Sequence, residues 1–531
     1  MSSNLTAGQI LGYSSVETAV KPVVKVENMA SAVAQAVCDN LPEGVLYRYR
    51  GEFVTVTVKK VVANDGSERC EVEKREMTAK RFCTWVEQWM VFERNEKVVS
   101  LVKPLAEAIL ASDYLRAGVP EISEIMPVRL PAWGLNAEGK RVLRILPAGY
   151  DPVTRIFSVE TVKWDANKVY PVGVVIKAFE GALGTFPWGE SEEEVWRKKR
   201  SVACFMAFML GQFCRHLVGR QPMVLVIGNQ PGTGKTLLAK FGLGPVYGIS
   251  NATPYPREEV SLQKLLFTKL MNGAPYVLID DLASLASATL NQYATSEYIS
   301  DRVLGGNVEF TGSNRMQLIS TGNNLTVTAD IERRSLIVDL FDVCKSTEKN
   351  VKNPLTERVF GVQSWREDML TAMWSMVWAW SEAGCPKHVR ASAMPSFEEF
   401  AEVVGSITVH SGFISPFTKR SVTSDGGDVR GVSLERLLKR LAELIVPESG
   451  KPHTGCSRMY SVDDVLEVAK SMGVLEIICS GKNLNQSMGH QLRKLKGREY
   501  VDGKGRRFTF GRKQDAVSSH YNVIILGEPA S

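Results

Sequence analysis

No apolar stretch of this sequence reaches the ~20 residues a bilayer span needs. The longest, VACFMAFMLGQFC and LTAMWSMVWAW, are shorter and are interrupted by polar residues. No basic segment leads into an apolar one at the start, which argues against secretion. The nine cysteines are scattered, without a CxxC pair or Cys/His ligand spacing. That predicts buried thiols in a reducing cytoplasm and no structural zinc. The sequence has no internal repeat, and no D-x-D pair precedes residue 226. The N-terminal part therefore lacks the paired carboxylates that two-metal nucleotidyl transfer usually requires.

Of 531 residues, 44% are hydrophobic and 23% charged, which is enough apolar material for three or four folded domains. The net charge of +6 is unevenly spread. Lys482 to Lys513 hold ten Lys/Arg against Glu499 and Asp502, a local +8 that leaves about −2 for all other residues. A basic concentration near the C-terminus points to a polyanionic partner there.

Patterning divides the chain into a tail (1–25), an N-terminal α+β region (26–185), an α/β core (186–345), a helical connector (346–425) and a C-terminal region (426–531). YRYRGEFVTVTVKKVV alternates as a strand, and the following NDGS supplies hairpin turn chemistry. SEEEVWRKKRSVACFMAFMLGQFCRHL reads as a helix with Ser191 as N-cap. In the core, the apolar strands MVLVI, YVLIDDL, RMQLISTGNN and SLIVDL alternate with helices, which predicts a parallel sheet covered on both faces.

MVLVI runs into GNQPGTGKT and then a helix, the strand–loop–helix context of a phosphate-binding loop. Gly232 and Gly234 let backbone N–H groups turn toward phosphates, with Thr233 between them. Lys235 reaches the β- and γ-phosphates, and the Thr236 hydroxyl suits Mg²⁺. The strict pattern asks for glycine where Asn229 stands, and asparagine is a residue that tolerates φ > 0. Asp280 and Asp281 end a buried strand 45 residues after Lys235, placed to hold Mg²⁺ and to polarise water. Asn323 ends the next strand; its amide can orient water, though an Asn pair also serves simply as a turn. Arg333 and Arg334 offer guanidinium groups for transferring phosphoryl charge, or are two solvated arginines.

The order GNQPGTGKT, VLIDDL, STGNN, DIERR resembles the AAA+ ATPases of superfamily-3 and MCM-like type. More narrowly, it is similar to the replicative helicases of phages and bacterial mobile elements, the phage/plasmid primase-helicase type. AEAILASDYL, the GYDP turn, SDRVLG, PSFEEFAEVVGSI and SMGHQLRKLKGR extend the likeness over roughly residues 45–525. The resemblance implies a homo-hexameric ring that binds ATP and Mg²⁺ between subunits and moves on single-stranded or forked DNA. It also implies Asn323 as sensor 1, Arg333 or Arg334 as a finger acting in trans, and Arg366 as a candidate sensor 2. A separate primase or polymerase is a possible partner, and the N-terminal region reads as a non-catalytic collar or loading domain.

RVLGGNVEFTGSNRMQLIS predicts a hairpin before the sensor strand, with Arg302 and Arg315 as phosphate contacts or as ordinary surface residues. NQSMGHQLRKLKGREYVDGKGRRFTFG reads as a helix stopped at Gly497, then a two-stranded wing. In this winged-helix reading Arg493, Lys494 and Lys496 on the helix, with Arg506 and Arg507 in the wing, meet the DNA backbone. A solvated basic face or a protein-binding winged helix fits the same residues. Two other functions remain open at this point: an ATP-switched origin initiator or loader, and a non-replicative AAA+ regulator.

Overall fold

The computed structural model describes residues 21–26, 29–62, 68–190, 194–256, 258–282, 287–302, 309–323, 325, 329–342, 355–418, 429–445, 455–479, 483–493, 499–501, 506–514 and 519–527. It is a mixed α/β chain, and among these residues no helix is long and apolar enough to cross a membrane.

Around the N-terminal unit, helices Ala30–Asn40, Ala79–Val86 and Lys103–Ala111 share a core through Val33, Val37, Phe82, Val86 and Ile109. The second of these starts where Thr78 accepts a hydrogen bond from Arg81 N. The run expected as one strand is two, Tyr47–Tyr49 and Glu52–Val62. Tyr49 pairs with Glu52, so Arg50 and Gly51 form a two-residue turn, and both have positive φ (55° and 87°). A turn with two left-handed residues matches strand twist, and glycine at the second makes it cheap. The expected hairpin follows: Glu52–Val62 pairs antiparallel with Glu68–Glu76, and its NDGS turn lies outside the described residues.

The centre is a five-stranded, all-parallel sheet in the order Thr253–Pro254, Tyr276–Asp280, Gln317–Asn323, Met223–Gly228, Ser335–Leu340. Alternation in Met223–Gly228 explains why it needs cover on both sides. Val224 and Val226 face a core shared with Phe205, Phe208 and Phe241; Met223, Leu225 and Ile227 face one shared with Leu262, Leu266 and Leu270. Helices Arg200–Phe213 and Lys235–Tyr247 cover the first face, and Glu259–Met271 the second. Almost every side chain of Arg200–Phe213 is buried, so this helix is apolar all round. It begins at Arg200, later than the expected N-cap Ser191, which lies outside the described residues. The strand order carries the functional consequence. Gln317–Asn323 inserts between the strand leading to the glycine-rich loop and the strand ending at Asp280. In open parallel sheets such a switch in strand order opens a crevice at the strands' carboxyl ends.

Tyr298–Arg302 and Glu309–Ser313 form the antiparallel hairpin expected before the third of these strands. In the C-terminal unit, helices Val429–Glu443, Val462–Ser471 and Leu484–Arg493 pack on a four-stranded antiparallel sheet through Leu437, Leu441, Val465, Met488, Phe508 and Val523. The expected wing strands pair there, Glu499 with Thr509 and Val501 with Arg507.

Candidate functional site

At the carboxyl edge of the parallel sheet the chain leaves Met223–Gly228, turns, and enters helix Lys235–Tyr247. Gly232 and Gly234 have φ of 80° and 85°, a backbone region that costs L-residues about 1–2 kcal/mol. Gly228 matters for space instead. A Cβ there would lie 2.5 Å from Thr233 Oγ1 and 2.9 Å from Lys235 Cδ, so the loop closes back over its own first residue.

Asn229 does something other than expected. Its φ is not positive. It is 4% exposed, and its amide bonds both backbone groups of Asp342: Oδ1 accepts from Asp342 N (3.0 Å) and Nδ2 donates to Asp342 O (2.7 Å). Asn229 N also donates to Leu340 O (3.2 Å), and Gln230 Nε2 adds a bond to Asp342 O (3.0 Å). The base of the loop is thus stitched to the segment leaving the edge strand. Glycine, with no side chain, has no means to do this.

Four expected residues come together. Lys235 Nζ donates to Asn323 Oδ1 (2.7 Å), and contacts Gln230 O and Thr233 Oγ1 at 3.3 Å each. Thr236 Oγ1 donates to Asp280 Oδ1 (2.7 Å). Both contacts exist because Gln317–Asn323 lies between the other two strands, with Gly228 in register with Asn323. Asp281 is exposed and has φ of 54°, an unusual conformation for a non-glycine residue.

Thr321 joins the site although no motif in the sequence marks it. It is fully buried; its hydroxyl donates to Asp280 Oδ1 and accepts from Asp281 N (3.3 Å), and its carbonyl accepts from Leu282 N (2.8 Å). One side chain therefore holds the position of both aspartates. The signal was present: Thr321 is two residues before Asn323, on the same face of the same strand. Phe186 is likewise unmarked; its ring lies 3.0 Å from where a Cβ on Gly234 would sit.

Arg333 and Arg334 fall elsewhere. They precede Ser335–Leu340, whose Ser335 is in register with Met223 and Leu340 with Gly228. Both arginines are thus one strand length, roughly 17 Å at 3.3 Å per residue, from the loop of their own chain. Neither is placed to reach the loop of its own chain. Arg366 fails as a sensor for a similar reason. It is 6% exposed and bonds Pro245 O (3.3 Å) and Val246 O (2.8 Å), at the far end of the helix that begins at Lys235.

Among the basic residues, Arg302 is exposed on the hairpin and in register with Glu309. Arg315 is exposed and donates to Val218 O (3.4 Å). Arg507 is exposed at the start of strand Arg507–Gln514, in register with Val501. Arg506 is not available to a ligand, because it is 2% exposed and donates to Ala442 O (3.2 Å) inside the C-terminal unit. Arg493 ends its helix, its side chain lying outside the described residues, as do Lys494 and Lys496.

Below the sheet, a buried ionic network ties this core to the N-terminal region. Burial alone would raise the Glu124 carboxyl, but Arg215 Nη2 at 2.7 Å holds it below the ordinary carboxylate range. Burial keeps the neighbouring His216 neutral, pushing it down to about 3.

No protein-family model matches the chain, and no curated protein matches it in sequence. Among solved structures it is similar to the apo A form of the NrS-1 C-terminal region, with 12% identity and a TM-score of 0.32 over 82% of this chain and 93% of that one. A second structure of that region matches at 11% identity and a TM-score of 0.28, over 88% of this chain and 96% of that one.

Proposed function

We propose that the chain is an ATP-hydrolysing motor on DNA, a replicative helicase of a phage or mobile genetic element that works as a homo-hexameric ring in the cytoplasm. The observation that carries the hydrolytic reading is the meeting of Lys235, Thr236, Asp280 and Asn323 at one sheet edge, two pairs each at 2.7 Å. The residues fit Mg²⁺-ATP. A hydroxyl and a carboxylate are the oxygen donors that Mg²⁺ prefers, and Gly228, Gly232 and Gly234 leave free of Cβ atoms the cradle that phosphates would fill.

In this reading Thr236 and Asp280 hold the ion, and Lys235 exchanges Asn323 for a phosphate oxygen. When bound, the nucleotide supplies the transferable phosphoryl group. Asp281 accepts the proton of the attacking water, and Asn323, once released, orients that water. Thr321 keeps Asp280 and Asp281 in register. Arg333 or Arg334 completes the site of the neighbouring copy, which supports assembly. DNA as the track rests on Arg302, Arg315 and Arg507, on the basic 482–513 segment, and on the resemblance in motif order. A separate primase or polymerase partner rests on that resemblance alone.

The test is ATP hydrolysis with and without single-stranded DNA, alongside strand separation on a forked duplex. Stimulation by DNA and loss of both activities in Lys235→Ala are expected. Hydrolysis indifferent to every DNA offered ends the motor reading. A fork left annealed despite DNA-stimulated hydrolysis favours the initiator or loader.

A further inference from the structure

The opposite end of the sheet carries a feature that the hydrolytic site does not use. A cleft of about 680 Å³ separates the N-terminal hairpin Glu52–Val62/Glu68–Glu76 from the far end of helix Lys235–Tyr247 and the start of strand Tyr276–Asp280. Small-molecule sites run to about 300–1,000 Å³ and favour such junctions between units. The N-terminal unit is docked around it: Arg50 Nη1 donates to Leu270 O, and the Tyr49 hydroxyl rests on Gly273.

The charges on its walls do not balance. Lys60, Arg69, Lys74 and Arg366 face only Glu68 and Glu71, and Arg69 already pairs with Glu71 at 2.8 Å. Arg366 is the most demanding of them. It is 6% exposed, and its hydrogen-bond partners are two backbone carbonyls and Thr161 Oγ1, the last at 3.4 Å. No carboxylate among the described residues acts on it. The carbonyls belong to a helix C-terminus, which favours a cation, but they occupy Nε and Nη2 and leave Nη1 with only the long contact to Thr161. Burial lowers the guanidinium to about 10. Lys74 is exposed at the rim, its ammonium over the Tyr49 ring at 4.9 Å; partial burial and then Arg50 lower it, against the opposing charge of Glu76. A cation kept in low dielectric without a counter-charge is costly, and Arg366 is such a cation on the wall of this cleft, with the exposed Lys74 at its rim.

We propose that this cleft is a second ligand site, for a small phosphate-bearing anion of nucleotide size, held by Arg366 Nη1 and Lys74 Nζ. Asn251 and Asn272 on the core side supply neutral polar contacts. Because its walls come from both units, occupancy ties the N-terminal hairpin to the core. The site is independent of the glycine-rich loop.

Calorimetric titration of the full chain with AMP and, separately, with inorganic pyrophosphate tests it. AMP should bind with a Kd of about 1 mM or tighter, and pyrophosphate should compete with it. Lys235→Ala should leave AMP binding unchanged, whereas Lys74→Gln should weaken it about tenfold or more, the loss expected for one charge-assisted bond. Lys74 lies on a hairpin strand, so this variant keeps its fold where Arg366→Gln risks it; an unchanged melting temperature confirms that. Absence of binding by either probe at ~10 mM overturns the proposal, as does AMP binding that survives Lys74→Gln or is lost in Lys235→Ala. Failure of the chain to hydrolyse ATP would leave each of these results unaffected.

Discussion

Asn229→Gly would restore the glycine that the phosphate-loop pattern expects, and the structure requires that it weaken the protein. Two ideas about this residue make opposite forecasts. If Asn229 were tolerated at a glycine-like φ, glycine would relieve strain and stabilise. Its φ is not positive, however, and its amide makes bonds of 2.7 and 3.0 Å to the backbone of buried Asp342. Each such bond is worth about 0.5–1.5 kcal/mol net, with more lost where a buried group goes unsatisfied. Glycine's extra backbone freedom adds about 0.5–1 kcal/mol. Gln230 Nε2 remains on Asp342 O at 3.0 Å and recovers part of the loss. The sum is about 2–4 kcal/mol. For a unit of this size that corresponds to a fall of roughly 5–15 °C in melting temperature. Thermal unfolding of the full chain reads it, with Asn229→Ala as the control that removes the bonds without the glycine. Both variants should melt lower than the parent, glycine the lower of the two. A glycine variant that melts at or above the parent refutes the account of Asn229 as a tether and reinstates the strain explanation.

Thr321→Val removes the hydroxyl that holds both aspartates; ATP turnover should fall about tenfold or more while melting temperature changes little, and Thr321→Ser should recover most of it. A double variant lacking Arg333 and Arg334, inactive alone, should regain partial ATPase activity when mixed with inactive Lys235→Ala protein, because the mixed junctions include intact ones; no recovery at any ratio would exclude a shared site. Glu124→Gln leaves Arg215 buried without its 2.7 Å counter-charge, and a cost of about 3–5 kcal/mol is expected in denaturant unfolding. His216 faces Glu124, Arg215 and Arg315, and folding holds it down to about 3 from an ordinary 6.5. Below pH 6.5 the unfolded chain takes up a proton that the folded chain refuses, so stability should decline with acid from 6.5 toward 3. Glu124, depressed by Arg215, adds its own loss only as pH falls below the carboxylate range. His216→Phe should flatten the upper part of that decline.

The parts of this protein legible in the sequence are those where local pattern and tertiary outcome coincide. Apolar runs bounded by glycine and carboxylates gave the parallel strands, because a strand buried on both faces must be continuously apolar. The loop lysine and threonine, Asp280 and Asn323 were legible because strand ends and a helix start fix where they emerge. What escaped depends on neighbours distant in sequence. YRYRGEFV alternates as one strand, but Arg50 and Gly51 turn the chain so that Tyr49 faces Glu52. Arg506 reads as a surface cation in a basic run, yet a carbonyl 64 residues away draws it inside.

Thr321 shows the same limit inside the site itself. Its hydroxyl is indistinguishable in sequence from that of any strand threonine, and its role appears only once the strand order sets it beside Asp280. That order has a further consequence for how the site responds to a ligand. The strand that ends in Asn323, in contact with Lys235, also carries Thr321, in contact with Asp280. A ligand that draws Lys235 off Asn323 therefore acts on the same rigid strand that positions the two aspartates. Weakening Thr321 should then disturb the lysine side as well. Thr321→Val should raise the KM for ATP together with its loss of turnover, whereas an aspartate-only role would lower turnover at constant KM. A turnover loss with KM unchanged would show that the two contacts share a strand without sharing energy.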